Sequence, residues 1–237
     1  MRMRMGLLGG VGLSALLLLL PGFLLGAGGP EEARKAGWEE GTPGRWNSLP
    51  ERKVRADGDV FGAEVVLAPG TGVIWEKTSK KTLQPGDTLD LEFLCAGTNR
   101  SSRDYQRFGE HFPLSVTAVF GEDSVSLPWK KRVADFFRAV WHGFSPKGIR
   151  LTYAYGNVVP VGSMYRLGEE ETVFILAGEE ERGKKVALVR NLREDFRAAY
   201  GRDPKGPVTR ILVSAERPSR ETGAIKAQIR LTSPLLR

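Results

Sequence analysis

The sequence predicts an all-β fold, an antiparallel β-sandwich with two peripheral helices. Three observations predict it. Short apolar–polar alternations recur about nine times, at the spacing of sandwich strands. Turn signals rich in Gly, Pro and Asp separate them. The alternate positions of these runs are polar, which suits antiparallel sheets wetted on one face better than a buried parallel sheet.

Each element can be justified in order. FGAEVVLA (61–68) is the first strand, and GVIWEK (72–77) follows it across the turn PGTG. TLDLEFL (88–94) alternates cleanly after QPGD, with Leu89, Leu91 and Phe93 on one face and Asp90 and Glu92 on the other. PLSVTAVF (113–120) repeats the pattern through Leu114, Val116, Ala118 and Phe120. A helix is predicted over 128–141, where Val133, Phe136, Phe137, Val140 and Trp141 form one stripe and Lys130, Lys131, Arg132 and Arg138 fill the remaining surface. IRLTYAY (149–155) puts Ile149, Leu151, Tyr153 and Tyr155 on one face. ETVFILA (171–177) and KVALVR (185–190) follow. A second helix is predicted over 191–200, capped by Asn191, with Leu192, Phe196 and Tyr200 inward and Gly201 as its stop. VTRILVSA (208–215) and AIKAQIRL (224–231) complete the set.

Ahead of the sandwich lies an export signal. Arg2 and Arg4 precede an uncharged apolar run, and the small residues Gly26, Ala27 and Gly28 precede a sharp return to polar sequence at Pro30. Residues 1–29 are read either as a cleaved signal peptide or, since a run of roughly 20 residues spans a bilayer, as an uncleaved membrane anchor. Residues 30–45 are read as a linker and 46–235 as a single β-sandwich domain. The expected location is the periplasm or the exterior. Lipidation at a signal cysteine is excluded, because the only cysteine is Cys95. A single cysteine also rules out disulfide-scaffold classes.

Composition narrows the partners. The 237-residue chain is 41% hydrophobic, enough for a sizeable core, and carries a net charge of +7. Its charges are interspersed rather than run in blocks, and no basic stripe interleaves with stacking aromatics, so nucleic acid is not an expected partner. The charge suits anionic envelope polymers or lipid head groups. The membrane is an expected contact through the N-terminal segment, and also through the basic helix if its apolar stripe faces outward instead of packing on the sandwich.

Catalytic patterns are missing. Neither His111 nor His142 has a second histidine at ligand spacing, and HExxH and Cys/His clusters do not occur, so no metal or cofactor is expected. GFSPKG (143–148) is GxSxxG rather than the GxSxG of a nucleophile elbow. Carboxylates fall near expected loop and helix ends, among them Asp87, Asp104, Glu110, Glu194, Asp195, Glu216 and Glu221. A glycosidase needs two of them facing across a cleft. Tyr105, Trp129, Tyr153 and Tyr155 lie mid-chain, where exposed rings would stack on sugars and buried ones would be core.

Four blocks also resemble an uncharacterised bacterial family, domain of unknown function 3047. They are RDYQRFGEHFPLSVTAVFG, IRLTYAYGN, VRNLREDFRAAYG and ILVSAERPSRETGAIKAQIRL. The resemblance runs from Trp46 to Leu231. It implies an exported jelly-roll sandwich of the galactose-binding type and no established activity. Its polar positions here are Asn157, Arg190, Asn191 and Asp195. One departure is Ser214-Ala215-Glu216, where the family pattern has Asp-x-Asp, which removes support for a metal or sugar role in that loop.

The expected function is a non-catalytic envelope protein that binds a glycan or another cell-surface component. Tyr105, Trp129, Tyr155, Asn157, Arg190 and Asp195 are its candidate ligand-binding residues. Two alternatives stand: a periplasmic polysaccharide hydrolase using an unassigned carboxylate pair, and a structural or assembly protein that contacts other envelope proteins.

Overall fold

The computed structural model describes residues 29–43, 48–102, 111–121 and 148–237. Residues 1–28 of the segment read as an export signal, Trp46, Tyr105, Trp129 and the helix expected over 128–141 lie outside the described residues.

Two sheets face each other, as an all-β sandwich requires. The seven-stranded sheet has the order β1 (Trp38–Gly41), β4 (Thr71–Lys81), β11 (Val208–Arg217), β6 (Ser115–Phe120), β7 (Ile149–Tyr155), β9 (Glu171–Ala177) and β8 (Met164–Arg166). The five-stranded sheet has the order β10 (Lys185–Asn191), β5 (Thr88–Cys95), β12 (Ile225–Thr232), β3 (Val60–Leu67) and β2 (Glu51–Asp57). Neighbours pair antiparallel except β7 and β9, which run parallel. β9 can do so because the chain passes it first, turns back through β8, and then fills the space between β7 and β8.

The core is written by the alternation. Phe61, Ala63, Val65 and Leu67 of β3 face inward, as do Leu89, Leu91, Phe93 and Cys95 of β5 and Ala227, Ile229 and Leu231 of β12. From the opposite sheet come Val73 and Trp75, Ile211, Val213 and Ala215, and Leu151, Tyr153 and Tyr155. Burying each large apolar side chain contributes roughly 1.5–3 kcal/mol.

The segment read as a linker corrects that expectation. Pro30–Lys35 forms a short helix, α1, and Trp38–Gly41 is the edge strand β1. The cause is Trp38, which is buried against Phe61 with ring centroids 4.2 Å apart. Glu40 then accepts a 2.9 Å hydrogen bond from the Trp75 indole and an ion pair from Arg52. β2 was not anticipated either, because only Val54 of ERKVRAD is buried.

The second helix, α2 (Leu192–Tyr200), forms as expected. The Asn191 side chain accepts from the amides of Arg193 and Glu194 at 3.1 and 3.2 Å, and Gly201 ends the helix at φ 69°. Leu192 and Phe196 are fully buried, and Phe196 meets Phe120 edge-on at 4.7 Å. Among the described residues no helix is long and apolar enough to cross a membrane.

Candidate functional site

Among the described residues, the irregular segments gathered at one end of the sandwich include 96–102 after β5, 111–114 before β6, 156–157 after β7, 178–184 between β9 and β10, and 218–224 between β11 and β12. Such segments carry unpaired backbone groups that need partners when buried. Asn99, fully buried, supplies them. Its side-chain amide donates to the carbonyls of His111 (2.7 Å) and Glu216 (2.8 Å), and its own backbone N–H donates to Asn157 Oδ1 at 2.8 Å. Asn157 in turn donates to the His111 carbonyl at 3.2 Å. His111 Nδ1 lies 3.0 Å from Glu216.

Arg217 is the second organising residue. It follows Ile211, Val213 and Ala215 in the inward register of β11 and is only 4% exposed. Its guanidinium donates to the carbonyls of Gly223 (2.8 Å), Thr222 (2.7 Å) and Thr98 (3.3 Å), and to Asn99 Oδ1 (3.1 Å). A buried charge is tolerable only with that degree of satisfaction. Glu221 lies 3.9 Å from it and accepts from the Ser101 amide (2.6 Å) and hydroxyl.

Arg217, with its partners Thr98, Thr222 and Glu221, forms part of the wall of a cavity of about 220 Å³, and Asn99 braces Arg217 from behind. Thr98, Arg100, Glu179, Arg182, Arg217 and Glu221 give it its polar lining. Thr98 donates to Glu179 at 2.8 Å, and Arg182 Nε donates to the Ala96 carbonyl at 2.7 Å. A shallower hollow of about 250 Å³ crosses the outer face of the five-stranded sheet between β2, β3 and β12. There the charges sit opposite one another on regular strands, as with Lys53 and Glu64. Among the described residues no three His, Cys, Asp or Glu side chains come together as metal ligands.

Burial pushes the Glu221 carboxyl up, but the Ser101 hydrogen bonds and the nearby Arg217 more than offset it, and the group lies below the ordinary glutamate value. A carboxyl lowered on folding adds stability above its unfolded value and loses it as pH falls through its folded value. We therefore expect the stability of Glu221→Gln to fall less steeply than wild type on acidification below the ordinary glutamate range. Equal acid limbs in denaturant titrations would refute this.

The residues singled out from sequence do not form one group. Asn157 stands at the loop end. Tyr155 is fully buried, so it offers no stacking face, and among the described residues its hydroxyl has no hydrogen-bond partner. Burial, then the charges of Cys95, Glu181 and Glu179, push that phenol upward. Tyr155→Phe is accordingly expected to raise stability by about 1 kcal/mol in chemical denaturation, since a buried unpaired hydroxyl costs more than it returns. A loss of that size instead would mean the hydroxyl is bonded.

Arg190 and Asp195 lie elsewhere. Arg190 is five residues along β10 from Lys185 at the loop end, roughly 16 Å away. Its Nε donates to Asp195 Oδ2 at 3.0 Å, its Nη2 pairs with Oδ1, and the Tyr153 hydroxyl donates to Oδ2 at 2.7 Å. The Arg190 guanidinium covers the rings of Phe174 (5.3 Å) and Tyr153 (5.7 Å). Burial and then Asp195 push the Tyr153 phenol well above its ordinary value, so it stays a neutral donor. This triad is bonded within itself and ties β7, β10 and α2 together.

Asn99, Thr98, Arg100, Glu179 and Arg182 were missed as site residues. Arg217 had a signal, since it is the one charge in the inward register of β11. Asn99 had none, lying in coil with partners 12 to 118 residues away.

Comparison with known proteins adds a family and no activity. The family model described as "Protein of unknown function (DUF3047)" matches residues 77–224, more than half of the chain. No curated protein matches. Among solved structures, the enzymatically active domain of bacteriophage CBA120 tailspike protein 4 is similar at 12% identity and a TM-score of 0.34, over 88% of this chain and 21% of that one. This chain thus spans about a fifth of the tailspike chain. Trichoderma harzianum endoglucanase 3 from family GH12 is similar at 9% identity and a TM-score of 0.31, over 83% of this chain and 96% of that one.

Proposed function

Because the chain belongs to the DUF3047 family, whose description assigns no activity, we propose a function from the geometry: an exported envelope protein that binds a glycan or another cell-surface component at the loop end of its sandwich. The observation that carries this reading is the cavity of about 220 Å³ there, whose Arg217 wall is hydrogen-bonded in place before any ligand arrives. Asn99 and Arg217 hold its wall through hydrogen bonds to four separate segments. A cavity fixed in this way loses little conformational entropy on binding. The polar lining suits the hydroxyls and charged substituents of envelope polymers. The apolar N-terminal run supports export, by cleavage or by anchoring.

The test is saturation-transfer NMR and calorimetry on the domain without residues 1–29, using fragments released from cell envelopes. Binding should appear with native protein and fall at least fivefold in Arg182→Ala. Binding unchanged in Arg182→Ala and Arg100→Ala would move the ligand away from the cavity and overturn this reading.

A hydrolase is the second reading, favoured by one fact: Glu179 and Glu221 line the same concavity. The lowered Glu221 carboxyl is a poor general acid, so Glu179 would have to donate the proton. Release of reducing ends from envelope polysaccharide, lost in both Glu179→Gln and Glu221→Gln, would replace the binding reading with this one.

A further inference from the structure

We infer that the ligand taken at the loop end is anionic, held through a carboxylate or phosphate group by Arg100 and Arg182. The inference rests on the binding reading above and goes further by naming the chemistry recognised. Three arginines and two glutamates line the cavity, so its fixed charge is positive by one. The buried Arg217 contributes its field, while its donors are engaged by carbonyls and Asn99. The two outer arginines are differently placed. The Arg100 side chain is 80% exposed and that of Arg182 55% exposed. Both lean on a single carboxylate oxygen, Glu179 Oε1, at 3.9 and 3.5 Å, which is long for charge-assisted hydrogen bonds. Glu179 is itself steadied by Thr98 through its other oxygen. Arg182 is anchored at Nε, so its guanidinium does not have to be ordered when a ligand arrives.

Two guanidiniums converge on one loosely held carboxylate. An incoming oxyanion would accept from both at ordinary hydrogen-bond length and make better use of them than Glu179 does. Glu179 is then the ligand's competitor, and this fixes the sign of its substitution. Removing its charge by Glu179→Gln should strengthen anion binding. If the ligand were a neutral sugar recognised by hydroxyls, the same change would weaken binding or leave it alone.

The experiment is calorimetric titration of the domain without residues 1–29 with three probes: a galacturonic acid oligomer, a neutral galactose oligomer of equal length, and glycerol phosphate. At least one anionic probe should bind tenfold or more tightly than the neutral oligomer, and its affinity should fall severalfold as salt is raised through the physiological range. Which anion wins tells a uronate source from a phosphate source. Arg100→Ala and Arg182→Ala should each weaken that binding about fivefold, Arg182→Lys should retain part of it, and Glu179→Gln should tighten it two- to tenfold. Thermal melts of each variant separate these effects from unfolding. Equal binding of acidic and neutral oligomers, or weaker anion binding in folded Glu179→Gln, overturns the inference while leaving the binding reading intact. No binding of any probe, with envelope fragments still binding through Arg182, overturns the inference alone. No binding of probes or fragments overturns both.

Discussion

Replacing Asn99 by alanine should cost about 3–5 kcal/mol of stability and abolish ligand binding at the loop end. The estimate follows from what the side chain leaves behind. The Glu216 carbonyl loses its Asn99 donor, the His111 carbonyl keeps only the 3.2 Å bond from Asn157, and one Arg217 N–H loses its acceptor, all where solvent cannot reach Asn99. Each stranded buried group costs about 1–3 kcal/mol, and Arg217 is a charge. The loss should be measurable as a lower denaturant midpoint at unchanged slope. Amide exchange should quicken at 99–102, 111–114 and 217–223 before it does in the strands. A loss under 1 kcal/mol would mean the loop end does not act as a unit.

Asp195→Ala should be comparably severe, at about 3–5 kcal/mol, and should leave ligand binding untouched. It removes the acceptor of a fully buried Tyr153 hydroxyl and the partner of Arg190 in one step. The pair is nine-tenths covered on the aspartate side, which sets it apart from exposed ion pairs worth under about 1 kcal/mol. Adding Tyr153→Phe to Asp195→Ala should recover about 1–2 kcal/mol, because the stranded hydroxyl is then gone. Additive losses in that double variant would show that the tyrosine and the aspartate do not depend on one another. Retained binding in Asp195→Ala, against lost binding in Asn99→Ala, would separate the structural triad from the cavity wall.

How far the sequence was legible depended on where each residue meets solvent. β3, β5, β11 and β12 start and stop within two residues of their alternating runs, because each puts one face in the core and leaves the other partly exposed. β7 and β9 match their runs as closely although both of their faces are buried, and β10 keeps its alternation with half-buried Val186 and Leu188. β1 and β2 escaped because each is an edge strand with a single buried residue. A strand that buries little beyond Trp38 or Val54 has almost no pattern to read. β8, only three residues long, has less still. The Arg190–Asp195 pair was readable, five residues apart around a capped helix start. Its third member was not, since Tyr153 and Tyr155 share one strand parity and nothing local says which meets the aspartate. The cavity was the least legible part. Its residues come from loops whose sequences have no period, and Asn99 acquires a role only when distant segments converge.

The last two of the described strands are the ones both sheets need most. β11 lies between β4 and β6, and β12 between β3 and β5. A growing chain can therefore form hairpins but cannot close either layer until residues 208–232 are out. Closure of the two sheets waits for these residues, and its decisive pairings join strands far apart in sequence, which makes them slow. A message cut short before residue 208 would yield a product in which β3, β4, β5 and β6 each present a bare edge. Such a fragment would be an aggregate in waiting rather than a weakened version of the whole.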